Sequence, residues 1–440
     1  MKQTRFYTTT IRTKAYYIIL HIALILYICY AFISCSSDSS IEQPVSPTVE
    51  VESQSPTQTQ KKDALYYVLA SVDEARHASS MLSPKTQGIH SFTDYSVPLE
   101  RSINYLKRKK STDIGINVAN LKITYGELLA TAEELQQILP LLDTNPTLLV
   151  ERFDWYKPIP TILFTGYYEP IINASRKKTE KYKYPIYSTP ADMRVLQLGQ
   201  FHPSLQGKRI IYRIENDTPV PYYTRKEIDS DNMLKNRGLE IAYGDSLVDI
   251  FFMQIQGSGQ VRYTDGSKAY LLYASQTGRE YVSLGSVMQK KGHLQAGEIN
   301  MFTIREFFRQ NPDKIEELLN TNPSYVFFRE AQDGLFGSIG QKLTPWQSIA
   351  VDSKVIPYGG IGVIDVALLD SIQDLPQYAK QTRSISGLVF AQDTGGAIRG
   401  NRIDLFCGPG DVATQVAGFL AGRNPFWLLM KKPVEERNIL

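Results

Sequence analysis

The chain has 440 residues, is 42% hydrophobic and carries a formal net charge of +3, enough length and apolar content for a large core in two or three domains. Residues 1–34 hold four of the positives (Lys2, Arg5, Arg12, Lys14) and no acid, so the remainder carries about −1 and lacks the basic footprint of a nucleic-acid binder. Three cysteines (Cys29, Cys35, Cys407) exclude a disulfide framework, and none of the five histidines lies in the last third, which argues against a local zinc or Ser-His site there.

The first element is an address. Lys2 to Lys14 is basic and Ala15 to Ser34 is almost wholly apolar, followed by Phe32-Ile-Ser-Cys35. This is the layout of an export signal, 1–34, with small residues at a cleavage point. Cys35 after Ser34 resembles a bacterial lipobox, although Phe32 departs from the usual aliphatic residue. The resemblance implies lipidation of Cys35 and a membrane tether, and Ser36 implies sorting to the outer membrane. A plain transmembrane anchor is the alternative. Residues 36–62 are rich in Ser, Pro, Thr and Gln and cannot bury enough to fold. As a coil they span roughly 30 Å, which suits a tether from a lipidated 35–62 segment.

The folded part begins with a helix expected from Asp63 through Leu65, Tyr66, Leu69 and Val72, and another over Leu99 to Leu106. Thr124-Tyr-Gly-Glu127 is a capping box for a third, with Leu128, Leu129, Ala132, Leu135 and Ile138 inside. From Thr161 the texture becomes β: Thr161 to Glu169, Tyr184 to Tyr187, Arg209 to Arg213, Leu239 to Tyr243 and Val248 to Gln256 read as strands. Tyr281 to Gln289 and Ile304 to Leu319 read as helices. Tyr325 to Arg329, Ser348 to Val351, Gly362 to Val366, Gly387 to Ala391 and Ile403 to Phe406 are strands again. Asp411 caps a last helix closed by Gly422.

The chemistry concentrates near the end. In Asp393-Thr-Gly-Gly-Ala-Ile-Arg-Gly-Asn-Arg-Ile-Asp404 two aspartates lie eleven positions apart across glycine turns, and Asp352 stands upstream. Carboxyls beside apolar strands are the material of acid/base chemistry on sugars. Asp404 lies between Ile403 and Leu405, so desolvation raises its pKa. Its bland alternative is a turn cap or a partner for Arg399 or Arg402. Asp393 is equally an Asx turn ahead of Thr394-Gly-Gly396 or a second carboxylate that raises the pKa of Asp404.

Six blocks, in order, closely resemble the membrane-bound lytic murein transglycosylase A family. They are Phe164-Thr-Gly-Tyr-Tyr-Glu-Pro170, Tyr184-Pro-Ile-Tyr187, Gln256-Gly-Ser-Gly259, Asn322 to Glu330, Leu343-Thr-Pro with Ser348 to Asp352, and Asp393 to Asp404. The last two also resemble the three-aspartate domain of cell-wall proteins. The resemblance implies a mainly β fold: a double-psi β-barrel (63–169 and 293–440) interrupted by a smaller β-domain (170–292), with a glycan groove between. It implies cleavage of the MurNAc-β-1,4-GlcNAc bond of peptidoglycan without water, giving 1,6-anhydro products. Asp404 matches the family's catalytic acid and Asp393 its second acid. Thr165, Gln256 and Ser258 match glycan-binding positions. Tyr167, Tyr168 and Trp346 are candidate sugar-stacking rings that fit a core equally well, Glu169 stands at the groove edge, and Asp352 is a candidate substrate-binding residue, although an acid ahead of Pro357-Tyr-Gly359 also braces a turn. Peptidoglycan strands and the membrane are the implied partners, with no metal, nucleotide or other cofactor. The rivals are an inverting glycoside hydrolase, which needs a water-activating base, and a non-catalytic peptidoglycan-binding module, which has no use for the acid.

Cys35→Ala is expected to release the protein from membranes or to leave an uncleaved precursor. Membrane-bound, signal-cleaved Cys35→Ala protein on fractionation excludes the lipid anchor.

Overall fold

The computed structural model describes residues 66–295, 297–368 and 379–433. The expected signal, Cys35 and the linker lie outside them. Strand β1 (Tyr66–Leu69) opens the described chain, and helix α1 (Val72–Ser80) follows with Ser71 as its cap. The helix expected from Asp63 is therefore corrected at Tyr66 and Leu69, which are extended. Tyr67 is 2% exposed and donates its hydroxyl to the Val355 carbonyl at 2.8 Å, a long-range anchor that favours extended backbone in a Tyr-Tyr-Val run. Helix α2 (Ser96–Leu106), the hairpin β2 (Ile114–Val118) and β3 (Leu121–Thr124), and helix α3 (Tyr125–Ile138) come next. Both bonds of the capping box at Thr124 and Glu127 form.

The β-rich part then runs β4 (Phe153–Ile159), β5 (Leu163–Glu169), β6 (Ile171–Ser175), β7 (Tyr184–Tyr187), β8 (Arg194–Gln197), β9 (Arg209–Glu215), β10 (Thr218–Pro221) and β11 (Glu240–Gly244). Helix α4 (Leu247–Gln256) follows, where a strand was expected. Ser246 caps it through the Asp249 N–H, and Gly257, at φ +81°, ends it. Val248, Ile250, Phe251, Phe252 and Met253 are all buried, so the helix is apolar around most of its circumference and its period is masked. After β12 (Ser258–Tyr263) and β13 (Lys268–Gln276) come α5 (Leu284–Lys290), α6 (Met301–Gln310) and β14 (Val326–Ala331). The single helix expected over 304–319 is interrupted at Asn311-Pro312, because proline cannot continue the ladder. Strands β15 (Ser348–Val351), β16 (Ile361–Ala367), β17 (Ser384–Asp393) and β18 (Arg402–Pro409) precede α7 (Asp411–Phe419), β19 (Ala421–Arg423) and β20 (Phe426–Lys431). Gly410 occupies the N-cap of α7 without a side-chain bond, which corrects the cap expected from Asp411, and Gly422 sits in β19 instead of closing the helix.

The fold is mainly β. A nine-stranded mixed sheet has the order β1-β4-β20-β16-β17-β15-β18-β5-β19. A six-stranded sheet has the order β14-β13-β12-β6-β11-β7, and β8 to β10 make a third of three strands. The second sheet is inserted between β5 and β15 in sequence, and it draws in β14 beyond the 170–292 segment expected for it.

The pleat of the large sheet separates two environments. Ile349, Val351, Phe164, Tyr168, Ala391, Ile403, Leu405 and Cys407 join the main apolar core. Ala350, Tyr167 and Phe406 face the other way, into a small cluster shared with Leu272 of β13 and Leu335. On the core side Gly166 lets α7 approach β5. A Cβ there would meet the Ala417 Cα at 2.8 Å and the Cys407 Sγ at 3.2 Å.

Gly166→Ala is expected to destabilise the protein by about 1–3 kcal/mol, since the helix must move off the strand. Chemical denaturation measures this. A midpoint equal to that of the parent means the helix yields freely.

Candidate active site

The register of three strands builds the site. Ala350 on β15 lies opposite Asp404 on the antiparallel β18 and opposite Asp393 on the parallel β17. Asp404 in turn pairs with Thr165 on the parallel β5. Asp393, Ala350, Asp404 and Thr165 therefore form one row across four strands. Directly paired residues share a face, so all four side chains stand on the same side of the sheet. The register shift between Ile349 and Ala350 leaves Gln392 unpaired in a bulge. That extra residue turns Asp393, instead of Gln392, toward the site. Gln392 points the other way and is fully buried, donating to the Pro98 carbonyl (2.7 Å) and the Ser102 hydroxyl (3.0 Å) and accepting from the Ser348 hydroxyl (2.8 Å). Between the two acids Ala350 contributes only a methyl group. Their Cα atoms are two strand spacings apart, about 9.5 Å.

The two carboxyls are dressed differently. Asp404 accepts from the Thr165 hydroxyl at 2.7 Å, and Arg402 donates its Nε–H to that same hydroxyl at 3.1 Å. Burial raises the Asp404 pKa, the Thr165 bond and the Arg402 charge oppose this, and the Asp393 charge adds to the rise. Asp393 accepts from the Tyr167 hydroxyl (2.9 Å) and from the Ser338 N–H (3.0 Å) and hydroxyl (2.9 Å), and the backbone N–H of Thr394 adds to these. Burial is again the leading cause of its raised pKa, while its donors pull the other way. Both aspartates keep partial solvent access.

The other expected residues fall into three places. Thr165 is at the centre. Gln256 ends α4 and accepts the Tyr168 N–H at 3.0 Å, and Ser258 begins β12 opposite Leu272. Neither the Gln256 Nε2 nor the Ser258 hydroxyl has a partner among the described residues. Tyr168 itself is 6% exposed and turned into the core, with its hydroxyl 3.1 Å from the Met301 sulfur. Only its backbone borders the site. Asp352 spans two loops, accepting from Lys354 N–H (3.1 Å) and Gly400 N–H (2.8 Å), and so anchors the Gly-rich connection between the two acids. Ser338 has no site role in the sequence reading; Tyr167 enters it only as a sugar-stacking ring and Arg402 only as a direct partner for Asp404, whereas here Tyr167 donates to Asp393 and Arg402 reaches Asp404 through Thr165. Ser338 lies in Gly334-Leu-Phe-Gly-Ser-Ile-Gly340, where a Cβ on Gly337 would come within 2.3 Å of the Gln392 carbonyl. A glycine-spaced serine loop is the one signal that marks it.

Such a molecule is a β protein with an inserted second sheet and an acid pair on one face, a layout suited to general-acid chemistry. Family models match twice: the MltA specific insert domain over residues 163–329 and the 3D domain over residues 347–430. Membrane-bound lytic murein transglycosylase A of Vibrio cholerae is 31% identical over 271 residues, 61% of this chain and 65% of that protein. Its namesake in Escherichia coli K12 is 31% identical over 277 residues, covering 62% and 66%. The alignments thus span just under two thirds of these relatives. A membrane-bound lytic murein transglycosylase structure from Agrobacterium tumefaciens superposes with TM-score 0.65 at 25% identity, covering 77% of this chain and 93% of that one. E. coli MltA with bound chitohexaose superposes at 0.59 and 25% identity, covering 77% and 90%. The chain belongs to the lytic murein transglycosylase A family.

A raised carboxyl pKa stabilises the fold below the unfolded value, near 3.8 for Asp404, and that stability is lost as pH rises through the folded pKa. Asp404→Asn keeps an acceptor for Thr165 and removes the buried charge. It is therefore expected to melt above wild type at pH 8, with the difference closing as pH falls toward 4. A lower melting temperature at pH 8 contradicts the desolvated site.

Proposed function

We propose that this protein is a lytic transglycosylase that cleaves the MurNAc-β-1,4-GlcNAc bond of peptidoglycan and leaves a 1,6-anhydro ring on the muramic acid. The observation that carries this is the asymmetry of the acid pair. Asp404 makes one side-chain hydrogen bond, from Thr165 to Oδ1, which leaves Oδ2 for a transferable proton. Asp393 is held by three donors from Tyr167 and Ser338, which suits a fixed charge better than a base poised to activate water.

The steps follow from one acid. Protonated Asp404 gives its proton to the glycosidic oxygen as the C1–O4 bond breaks and the GlcNAc end leaves. Positive charge then develops on the ring, and Asp393 stabilises it through space. The Asp404 carboxylate next takes the proton of the C6 hydroxyl, whose oxygen bonds to C1. Protons balance, no water enters, and the C6 hydroxyl is favoured over water because it is already tethered to the reacting ring. Arg402 polarises the Thr165 hydroxyl, and so both hold Asp404 in one orientation. Gln256 and Ser258 offer neutral groups to the glycan, with Asp352 at the edge of the site. In this reading barrel segment 293–440 carries both acids, barrel segment 63–169 supplies Thr165, and the inserted segment 170–292 forms the other wall of the groove. Membrane association through Cys35, at the periplasmic face of the outer membrane, agrees with relatives that are named membrane-bound.

Asp404→Asn is expected to lower turnover of purified peptidoglycan by at least about 10²-fold, the lower end of general-acid catalysis. Asp393→Asn costs less and moves the alkaline limb of kcat/KM to lower pH, because removing its charge lowers the Asp404 pKa. In heavy-oxygen water the new muramic ends remain unlabelled and lighter by one water. Labelled reducing ends as the main product assign the chain to hydrolysis, with Asp393 as the base.

A further inference from the structure

Helix α2 and the turn after it carry two arginines that the chemistry above does not use. Arg101 and Arg108 are seven positions apart, near two turns of helix, so they leave it on one face. Both reach the same loop. Arg101 Nη1 donates to the Lys342 carbonyl at 3.0 Å and to the Thr344 hydroxyl at 2.7 Å, and Arg108 Nη2 donates to the Ile339 carbonyl at 3.0 Å. Among the described residues neither arginine forms an ion pair, and Glu100 acts on Arg101 only through space. Two cations that could pair with carboxylates are given to the loop that bears Ser338.

The same helix grips the other side of Asp393. The Thr344 N–H donates to the Ser348 hydroxyl (2.8 Å), that hydroxyl donates to Gln392 Oε1 (2.8 Å), and Gln392 Nε2 donates to the hydroxyl of Ser102 (3.0 Å), the residue next to Arg101. The circuit from Arg101 through loop and bulge thus closes on α2. Asp393 hangs from it by two arms. One is its peptide bond to Gln392, and the other is the pair of donors on Ser338. The Ile339 N–H on the Gln392 carbonyl (3.3 Å) ties the arms together.

We propose that Arg101, seconded by Arg108, is a positioning residue for the reaction: it latches the Ser338 loop onto the Gln392 bulge and so holds Asp393 as a charge beside Asp404. This role rests on the one given to Asp393 above. Arg101 is half-buried and Arg108 exposed, so water competes less with the bonds of Arg101. The Ser338 donors oppose the rise that burial imposes on the Asp393 pKa. A loop set free withdraws them, and the carboxyl then takes a proton at higher pH. The other groups around Asp393 do not replace them. Tyr167, from β5, donates but stays neutral, because burial holds its hydroxyl well above the usual range. Asp404, from β18, repels the charge, and Arg402 is spent on Thr165. Arg399, in the connection after β17, gives its guanidinium to the Gly395 and Ile398 carbonyls. Lys342, at the foot of the serine loop, pairs with Asp333.

The test is the pH profile of kcat/KM on soluble peptidoglycan strands, read in a double-mutant cycle on the full chain. Arg101→Met keeps the aliphatic stem and removes the donors. It is expected to move the acid limb, set by Asp393, up by about one pH unit, the worth of a hydrogen bond to a charged group. The rate at the parent's optimum falls about 10-fold, through kcat. The alkaline limb, set by Asp404, stays in place. Arg101→Lys restores a donor and is expected to return the acid limb to the parent's position. With Asp393→Asn already present, Arg101→Met is expected to cost no more than about twofold, since the group it acts through is gone. Arg108→Met frees only the Ile339 end and moves the same limb the same way, which keeps the test open where Arg101→Met does not fold. An acid limb unmoved by the folded arginine variants overturns the latch. So does an equal loss with and without Asp393→Asn, which makes Arg101 a brace of the fold alone. Labelled reducing ends in heavy-oxygen water reject the transglycosylase reading and make Asp393 a base. Its ionisation still sets the acid limb, so the cycle judges Arg101 separately.

Discussion

The bulge at Gln392 decides which way Asp393 points, and the acid pair depends on it. Without the extra residue, a slip of one position would send Gln392 to the acid face and bury Asp393 in the core. The core side fixes the bulge. Pro98, Ser102 and Ser348 together satisfy the Gln392 amide in a place where an unsatisfied amide would be costly. The loop bearing Ser338 packs on the outside, with the Ile339 N–H on the Gln392 carbonyl. Helix α2 on one side and the serine loop on the other thus hold the register that places a carboxyl beside Ala350.

From that register the electrostatics follow. Both aspartates occupy the same row and both are desolvated, yet their partners differ. Asp393 draws on Tyr167, Ser338 and Thr394, and Asp404 on Thr165, whose own oxygen is claimed by Arg402. The two environments differ in kind: one carboxyl is held by several donors and the other by a single hydroxyl. Ala350 matters by its smallness: a larger side chain would fill the space between the two carboxyls.

How much of this was legible in the sequence follows the range of the interactions. Local signals were reliable. The Thr124 capping box forms as its spacing requires, and the strand Ser348–Val351 has the bounds read from its apolar run. Signals carried by neighbours far along the chain were not. Tyr66 to Leu69 has helical spacing but is extended, because Tyr67 is tied to Val355. Val248 to Gln256 reads as a buried strand because its helix is covered on most sides. At the site, Asp393 and Asp404 could be found from composition and spacing. Their partners could not, since Ser338 is 55 residues and Tyr167 is 226 residues from Asp393. Tyr168 shows the limit of residue type: the pleat turns its ring into the core and leaves the adjacent Tyr167 on the acid side.

Taken together, the acid face departs from the rules that the opposite face obeys. On the core side the buried amide of Gln392 is fully paired. On the acid side three carboxyls, Asp393, Asp404 and Glu169, all have pKa values raised chiefly by burial. Each destabilises the fold at neutral pH relative to a neutral isostere. One such group is a local accident of packing. Three on one face of neighbouring strands mark that face off from the apolar one behind it. The main core, with Ile403, Leu405, Phe164 and Ile349 directly behind, supplies the stability that offsets the desolvated carboxyls. The strand pleat alone keeps the two faces apart: residues adjacent in sequence, such as Ile403 and Asp404, serve opposite ends, one packed in the core and the other on the acid face.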